Sequence, residues 1–427
     1  MRRSGPNDGD FSGRYRAPRV LVPPGVAEEE QKLQESVLRS FGSRAGRPAG
    51  LERFEQMVLR PSDFVGDGPL VGTFCNFVPE EIVEAAGAVP VRLCTGSIVA
   101  QSIAEQVLPR DACPVARASF GAVVGGLGMA PHVKALVLPA ACDAKRRLGE
   151  LLRDHVPVIA LSIPGRSDHR TELGYWLSEL GRLAQKLAEI TGRTPTRARL
   201  RDAIMRRRAV QDAFRELERA RRDSPHVLTG SDLAMVAAAS FHADPLRWAD
   251  ACGQLAAEVR EAGRDGPLTD GAIPLVMTGA PLLWPAWKLY RVIEEVGASV
   301  VADTLCSATQ RLYDPVQVDD WSRSGMMRAL ALRYFSASLC PCFVDSTAHA
   351  DRVIELAREW QAAGVVAHNL RLCQLFQIQS ARLRHILRDE GIPFLAIDTE
   401  LGPEDVEQIR VRVEAFLEMV KEQGRTQ

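Results

Sequence analysis

The sequence predicts an α/β protein with two similar parallel-sheet lobes, of the Rossmann or flavodoxin-like kind, and a helical insert between them. Three observations support this prediction. Short apolar runs alternate with helical segments in both halves of the chain, the middle of the chain has helical patterning alone, and a helix–glycine–strand–cysteine unit occurs once in each half. Alternating strands and helices are typical of parallel sheets. A chain of 427 residues with 46% hydrophobic content can bury more than one core.

The region over residues 1–50 is predicted to be a polar tail followed by a short helix from Glu28 to Ser40. The tail is rich in Gly and Pro and lacks the apolar centre of a signal peptide. No run of 18 apolar residues occurs in the sequence, which argues against a membrane span. A net charge of −1 creates no general attraction to nucleic acid or to an anionic membrane. We therefore expect a cytoplasmic protein that binds neither nucleic acid nor membrane.

The first lobe is predicted over residues 51–168. The run "PLVGTF" is short and apolar, as a buried parallel strand requires. Pro79, Glu80 and Glu81 are residue types that favour a helix start, and a glycine ends that helix before the strand "AVPVRL". Two further strands are predicted at "VKALVLPA" and "VPVIALSI", with a helix from Asp143 to Asp154 between them.

The helical insert is predicted over residues 169–270, where Leu, Ala, Arg and Glu recur with helical spacing. The arginine run at residues 206–208 is interpreted as a solvated helix face, because arginine supplies most of the positive charge throughout the chain. The second lobe, residues 271–427, has four strand candidates: "AIPLVMTG", "ASVVAD", "AGVVAHNL" and "IPFLAIDT".

An internal repeat relates the two lobes. "EEIVEAAGAVPVRLC" ends at Cys94, and "YRVIEEVGASVVADTLC" ends at Cys306. Later in each lobe a strand, a cysteine, a helix and another strand follow one another, which pairs Cys142 with Cys373. The repeat departs from symmetry after the first strand, where the first lobe has a cysteine and the second has "TGAP", with Gly279 and no thiol.

The cysteines are interpreted as metal ligands rather than as a disulfide framework. Cys75, Cys142 and Cys373 each follow a predicted strand, and open α/β sheets bind ligands at the carboxyl ends of their strands. Cys75 and Cys142 also precede helix starts, which favour an anion such as a thiolate-held cluster. The alternative is that free cysteines are simply small buried residues. We accept that alternative for Cys252, which stands alone in the insert.

An ordered series of segments resembles a known family over about residues 50–425. The chain is similar to the 2-hydroxyacyl-CoA dehydratase/benzoyl-CoA reductase family and, within it, to the double-cubane cluster proteins. The resemblance implies oxygen-sensitive, low-potential iron–sulfur chemistry under anaerobic conditions, driven by a separate ATP-hydrolysing iron–sulfur activator. The chain has no P-loop of its own, in agreement with a separate activator. The segments are "GTFCNFVPEEIVEAAGAVPVRLC", "CPVARASFG", "PAACDAKRRLGE", "MTGAPLLWPAWKL", "ADTLCSATQRLYDP", "CPCF" and "GVVAHNLRLCQLF".

The resemblance implies one of two clusters. A dehydratase subunit would hold one 4Fe–4S cluster through three cysteines, which match Cys75, Cys113 and Cys373. A double-cubane protein would hold an 8Fe–9S cluster, two cubanes joined by a bridging sulfide, through six cysteines. We expect the second arrangement, with Cys94 and Cys342 as reserves. Its six ligands would be Cys75, Cys113, Cys142, Cys306, Cys340 and Cys373.

The resemblance implies an oxidoreductase that accepts electrons from the activator and passes them to a hard-to-reduce substrate. One alternative is a 2-hydroxyacyl-CoA dehydratase subunit, a lyase that acts through a ketyl radical on a CoA thioester. The other is a non-catalytic electron-transfer subunit. The family further implies a dimer, either of two copies of the chain or of the chain with a related subunit.

Three side chains near the cysteines are candidates for proton transfer. His368 is the first, because its ordinary pKa is close to neutrality; a structural histidine is the alternative. Glu80 and Glu81 are the others, although stabilising the helix dipole explains them equally simply. Lys145 and Arg146 follow a predicted ligand and are expected to neutralise cluster charge or to bind a CoA phosphate.

Overall fold

The computed structural model describes residues 20–41, 46–263, 271–336, 338–344 and 347–426. Within these ranges the chain forms two four-stranded parallel sheets and sixteen α-helices. All eight predicted strands are present, and the predicted fold class is confirmed. No helix in the described ranges is both long enough and apolar enough to cross a bilayer.

Two helices precede the first lobe. α1 (Val26–Phe41) includes the predicted N-terminal helix, and α2 (Leu51–Leu59) follows it. α2 turns Phe54 and Met57 inward, where Phe54 meets Trp248 edge to face with ring centroids 6.1 Å apart. Aromatic contacts of this kind add to the stabilisation that burial provides.

The first lobe contains four strands and four α-helices. The strands are β1 (Leu70–Thr73), β2 (Val89–Arg92), β3 (Val133–Pro139) and β4 (Val158–Leu161), and the helices are α3 (Glu80–Ala85), α4 (Ile98–Ala104), α5 (Pro114–Val124) and α6 (Asp143–Leu152). The strand order is β2–β1–β3–β4, and every pair is parallel. β1 is buried along its whole length, as expected for a central strand covered on both faces. Two single-turn 3₁₀ helices, Pro61–Asp63 and Ala130–His132, lie near this lobe.

The middle of the chain is helical. Its helices are α7 (His169–Thr191), α8 (Arg197–Asp223), α9 (Gly230–Ala239) and α10 (Pro245–Ala262). α7 ends at Gly192, whose φ of 71° is the left-handed conformation that glycine adopts without strain. α9 begins with a capping box in which Thr229 and Asp232 satisfy each other's backbone N–H groups.

The second lobe repeats the first. Its strands are β5 (Ile273–Gly279), β6 (Ala298–Asp303), β7 (Gly364–Leu370) and β8 (Phe394–Thr399), and its helices are α11 (Lys288–Glu295), α12 (Gln310–Tyr313), α13 (Arg323–Ser336), α14 (Ala348–Glu359), α15 (Gln374–Asp389) and α16 (Val406–Thr426). The strand order is β6–β5–β7–β8, the order of the first lobe with each number raised by four. The repeat seen in the sequence is therefore a structural repeat.

The helical insert shares apolar cores with both lobes. Its helices α7 and α8 enclose Leu180 and Leu200 in one core with Val71 of β1. α8 also contributes Phe214 to a second core that contains Leu275 of β5. Because the insert packs against both sheets, the division of the chain into separate domains stays a prediction.

Candidate functional site

One cavity of about 600 Å³ lies between the lobes, at the carboxyl ends of both sheets. Eight of the nine cysteines line it, and all nine are free thiols. Cys252 is the exception, because it is fully buried in α10. The structure thus brings all six predicted ligands, and the two reserve cysteines, to one cavity. Their role as metal ligands stays a prediction. The lining cysteines are Cys75, Cys94, Cys113, Cys142, Cys306, Cys340, Cys342 and Cys373.

Three of these cysteines occupy helix N-caps. Cys113 precedes α5, Cys142 precedes α6 and Cys373 precedes α15, and none of the three side chains caps its own helix. Three helix N-termini therefore face the cavity together. This arrangement favours negative charge in the space between them.

The lobes place their thiols at matching positions. Cys142 lies three residues beyond the end of β3, and Cys373 lies three residues beyond the end of β7. The match fails after the first strand of the second lobe, where Gly279 has a φ of 108° and an added Cβ would collide with the carbonyl oxygen of His368. Side chains are strained in such a conformation, so this turn excludes a cysteine at Gly279 itself.

Lys145 brings a cation into the cavity. Its Nζ donates to Sγ of Cys75 over 3.2 Å. Burial disfavours the charged lysine, but Cys75, Cys142 and Cys340 outweigh burial and hold the pKa of Lys145 well above its ordinary value. Burial also favours a neutral Cys75, yet Lys145 and the backbone N–H of Phe77 lower the pKa of this thiol. The first lobe therefore supplies an ammonium that favours ionisation of Cys75.

Three other cavity thiols resist ionisation in the metal-free protein. Burial raises the pKa of Cys94 and of Cys373 to about 11 and the pKa of Cys306 to about 12. Cys94 also donates to the carbonyl oxygen of Phe74 over 3.0 Å. One ammonium cannot compensate eight thiolates, so ionising the whole set requires further cations in the cavity.

Neighbouring thiols add to the effect of burial. Burial raises the pKa of Cys113 and of Cys373, and Cys142 raises both further. Burial also raises the pKa of Cys306, and Cys75 and Cys340 raise it further. These effects cross from one lobe to the other. Within the described residues no three His, Cys, Asp or Glu side chains are placed to hold a single metal ion.

His368 is buried and does not line the cavity. Its Nδ1 lies 2.8 Å from the carbonyl oxygen of Ala280, and its Nε2 lies 2.7 Å from Oγ1 of Thr399. Burial lowers the pKa of His368 to about 4. The imidazole fixes the turn after β5, which forms part of the cavity wall, while its predicted role as a proton relay stays a prediction.

Glu80 and Glu81 are also buried outside this cavity. Glu80 accepts from Arg207 and from Arg311, each over 2.6 Å. Burial opposes its ionisation, but Arg207 and Arg311 outweigh burial and lower the pKa of Glu80 to about 2. Glu81 accepts from the hydroxyl of Tyr334 over 2.7 Å, and burial raises its pKa.

The prediction that the arginine run at residues 206–208 is solvated was wrong for Arg207. Its side chain is only 10% exposed and pairs with Glu80 and with Glu84. A guanidinium can be buried when carboxylates accept its hydrogen bonds. The interpretation failed because the acidic partners lie on α3, more than a hundred residues earlier in the chain.

Several cavity residues were not predicted. Asn76 accepts from Arg92 over 3.0 Å and donates to Gln310 over 3.2 Å, which joins the buried Arg92 to the cavity wall. His349 and Thr304 line the second lobe's side. No motif in the sequence singles out these residues, because tertiary packing alone brings them together.

Comparison with known proteins gives one consistent family. A family described as 2-hydroxyglutaryl-CoA dehydratase, D-component, matches residues 75–420. The chain is 30% identical to the putative dehydratase subunit YjiM of Escherichia coli (strain K12) over 357 residues, which cover 82% of this chain and 91% of the relative.

Two further relatives are more distant. The (R)-phenyllactyl-CoA dehydratase beta subunit of Clostridium sporogenes is 21% identical over 355 residues. Subunit beta of the (R)-2-hydroxyglutaryl-CoA dehydratase of Acidaminococcus fermentans is 22% identical over 359 residues. Each match covers 82% of this chain and 91% of the relative. With a family match from Cys75 onward and these relatives, the chain belongs to the 2-hydroxyglutaryl-CoA dehydratase D-component family.

Proposed function

We propose that the cavity holds an iron–sulfur cluster through thiolates of both lobes, and that the protein is a low-potential reductase component. The observation that carries this proposal is the lining of one cavity by eight cysteines from distant parts of the chain. A purely structural role does not explain this convergence, since isolated buried cysteines need no common location.

The residues present fit such a cluster. Thiolates are the ligands that iron–sulfur clusters use, and metal binding ionises thiols that burial keeps neutral. The three helix N-termini and Lys145 would offset the negative charge of a thiolate-held cluster. When bound, the cluster supplies single electrons at low potential. The surrounding side chains exclude water and set the charge of the site.

We propose an 8Fe–9S double cubane rather than one 4Fe–4S cluster. A single cubane has four irons and uses at most four cysteines, whereas eight line this cavity. Three of the six expected ligands come from each lobe, which would supply three thiolates for each of two cubanes. Cys94 remains in reserve because its thiol is engaged with a backbone carbonyl, and Cys342 remains in reserve beside Cys340.

In this proposal the protein accepts electrons one at a time from a separate ATP-hydrolysing iron–sulfur activator. The electrons then pass to a hard-to-reduce substrate in the cavity. Nine free cysteines suit a reducing compartment, which supports a cytoplasmic location. Relatives named as beta subunits support assembly as a dimer, with a related subunit or with a second copy of this chain.

A second candidate is the dehydratase reaction on a 2-hydroxyacyl-CoA thioester, which the names of the relatives favour. In that reaction one electron enters the thioester carbonyl, hydroxide leaves from C2, a proton leaves from C3, and the electron is returned. The products are an enoyl-CoA and water. The substrate gains no electrons overall, whereas a reductase consumes at least two for each product molecule.

Anaerobic purification followed by iron and acid-labile sulfide analysis tests the proposal. We expect about eight irons per chain; about four would indicate a single cubane, and a colourless, iron-free protein would refute the cluster. Product formed per electron supplied separates the two reactions on a 2-hydroxyacyl-CoA. Many products per electron indicate the dehydratase, whereas no product from any thioester excludes the dehydratase.

A further inference from the structure

A second cavity, of about 20 Å³, lies beside the cluster cavity. Asn76 lines both cavities, so this side chain is part of the wall between them. Helices α3, α8, α12 and α13 contribute most of the remaining lining, which brings the first lobe, the insert and the second lobe together at this point. We call it the arginine cavity. Its charged lining residues are Arg92, Arg207, Arg311, Arg333, Glu80 and Glu81.

Positive charge exceeds negative charge around the arginine cavity. The two lining carboxyl groups, when both are ionised, offset two of the four guanidinium groups. Glu84 lies outside the lining, pairs with Arg207 and offsets a third. Arg206 and Asp244 also lie close by, but they pair with each other over 2.7 Å and leave the balance unchanged. At least one positive charge therefore has no counter-charge among these groups.

Arg92 is the guanidinium that has no carboxylate partner among the described residues. Its side chain is buried, and it donates to the amide oxygen of Asn76 over 3.0 Å. Its guanidinium lies 4.3 Å from the ring centroid of Phe241, and the guanidinium of Arg311 lies 4.4 Å from the same centroid. An amide and an aromatic ring stabilise a cation but do not neutralise it.

The surplus charge also acts on Arg311. Burial lowers the pKa of Arg311, and Arg207 and Arg92 lower it further. The pKa stays below its ordinary value although Glu80 accepts from Arg311 over 2.6 Å. A single carboxylate therefore does not compensate the positive charges that surround it.

Three donors of the arginine cavity also lack acceptors. The Nε–H groups of Arg92, Arg207 and Arg311 are buried, and no described atom accepts a hydrogen bond from them. Buried donors without acceptors, and buried charges without counter-charges, are both costly. A water molecule would accept hydrogen bonds from these groups but would leave the surplus charge in place. An anion would satisfy the donors and compensate the charge.

The size of the cavity limits the anion. A cavity needs about 10–15 Å³ to hold one water molecule, so about 20 Å³ admits one particle of that size. Phosphate, sulfate and carboxylate groups have several heavy atoms and are too large. A monatomic anion fits.

We propose that the arginine cavity binds one halide ion, such as chloride, as the counter-ion of Arg92 and its neighbouring guanidinium groups. The ion accepts from the free Nε–H groups and lies where the two lobes and the insert meet. Since the cavity forms only when these three regions pack together, the ion binds the folded chain and stabilises it. The inference does not depend on the proposed cluster, because it uses none of the cysteines.

A crystal structure of the wild-type protein, grown in sodium bromide with anomalous scattering recorded at the bromine edge, locates the ion. We expect an anomalous peak in the arginine cavity, within hydrogen-bond distance of Nε atoms of at least two of its arginines. A cavity that holds water without an anomalous peak would overturn the proposal. This measurement needs no variant, so it does not depend on whether a substituted chain folds.

Urea unfolding of the full-length, anaerobically purified protein shows whether the ion stabilises the fold. Sodium chloride is compared with sodium gluconate at equal ionic strength, because gluconate is too large for the cavity. At a chloride concentration ten times the dissociation constant, the ratio of folded to unfolded wild type should rise about tenfold.

Arg92→Gln should remove this chloride dependence, because it removes the surplus charge. Arg53→Gln is the matched control: Arg53 forms an exposed pair with Asp250, and its loss should leave the chloride dependence intact. Equal chloride dependence in Arg92→Gln and in the wild type would overturn the proposal. A bromide peak without any effect of chloride on wild-type stability would indicate an adventitious ion only, and would overturn it as well.

Discussion

The two lobes share one strand order and differ in what they bring to the cavity between them. The first lobe brings charge, because the Nζ of Lys145 lies 3.2 Å from the Sγ of Cys75. The second lobe has a glycine turn at the comparable place. Beside that turn lie the uncharged, hydrogen-bonded side chains of His349, Thr278 and Thr304. A duplicated scaffold has therefore kept its cysteine positions after the third strand and changed the chemistry after the first.

This difference separates two tasks. Holding a cluster requires thiols from both lobes, and the matching positions of Cys142 and Cys373 serve that purpose in our proposal. Setting the charge of the site is the second task, and Lys145 of the first lobe performs it by donating to Cys75. Five experiments would break or sharpen the comparison, and they follow from the largest expected effect to the smallest.

The largest effect is expected from removing the matched cysteines. Cys142→Ala and Cys373→Ala should each lose about half of the bound iron or more, because each is an expected ligand of the cluster. Iron per chain after anaerobic reconstitution measures this loss. Cys252→Ala is the control, because Cys252 lies away from the cavity. Loss of iron in only one of the two variants would break the equivalence of the lobes.

Breaking the buried ion pairs of the first lobe should come next. Glu80→Gln should destabilise the fold by roughly 3–5 kcal/mol, because it leaves Arg207 and Arg311 buried without their shared carboxylate. Urea unfolding measures this cost. Glu189→Gln, which removes a pair with Lys186 that is about half exposed on both sides, should leave the stability nearly unchanged.

The pH dependence of the same pair has a defined sign. The pKa of Glu80 is lowered from 4.5 to about 2 in the fold, where Arg207 and Arg311 outweigh burial. Its contribution to stability is therefore present above pH 4.5 and is lost as the pH falls toward 2. The wild type should lose more stability than Glu80→Gln over this interval. Parallel curves for the two proteins would contradict the assignment.

A smaller effect is expected from removing the ammonium of Lys145 beside Cys75. In metal-free protein, Lys145→Met should slow alkylation of Cys75 by iodoacetamide at least about tenfold, because the thiolate loses its cation. Lys145→Arg should keep most of the rate. Mass spectrometry of the peptide that contains Cys75 gives the rate, and the peptide with Cys373 serves as an internal reference. Equal rates in wild type and Lys145→Met would show that the lobes do not differ in charge.

The smallest effect is expected at Cys94, the counterpart of Cys306 in the repeat. Cys94→Ala should keep its iron and lose about 1 kcal/mol of stability with the hydrogen bond to Phe74. Cys306→Ala should lose iron, since Cys306 is an expected ligand. The reverse result would exchange the roles of the two cysteines while leaving the shared cluster in place.

The sequence predicted the fold more fully than it predicted the site. The strands were predictable because short apolar runs such as Leu70–Thr73 are buried on both faces of a parallel sheet. The repeat of strand, cysteine and helix in the sequence predicts that Cys142 and Cys373 lie in equivalent loops, and the structure has them there. These are local patterns, and local patterns survive in a single sequence.

The remaining parts of the site depend on contacts between distant segments. Arg207 belongs to an arginine-rich helix, and nothing near it in sequence shows that Glu80 will bury it. His349 likewise stands alone in α14, and its partners lie 45 and 71 residues away. His368 had the stronger sequence signal, as a histidine beside a predicted ligand, yet the fold turns it into the sheet.

The central claim is that sulfur atoms of both lobes bind one shared cluster. A crystal structure of the anaerobically purified protein, with anomalous scattering recorded at the iron edge, tests it most directly. The account predicts iron within bonding distance, about 2.3 Å, of Sγ atoms from both Cys142 and Cys373. Iron bound by cysteines of one lobe alone, or a cavity without iron, would contradict it.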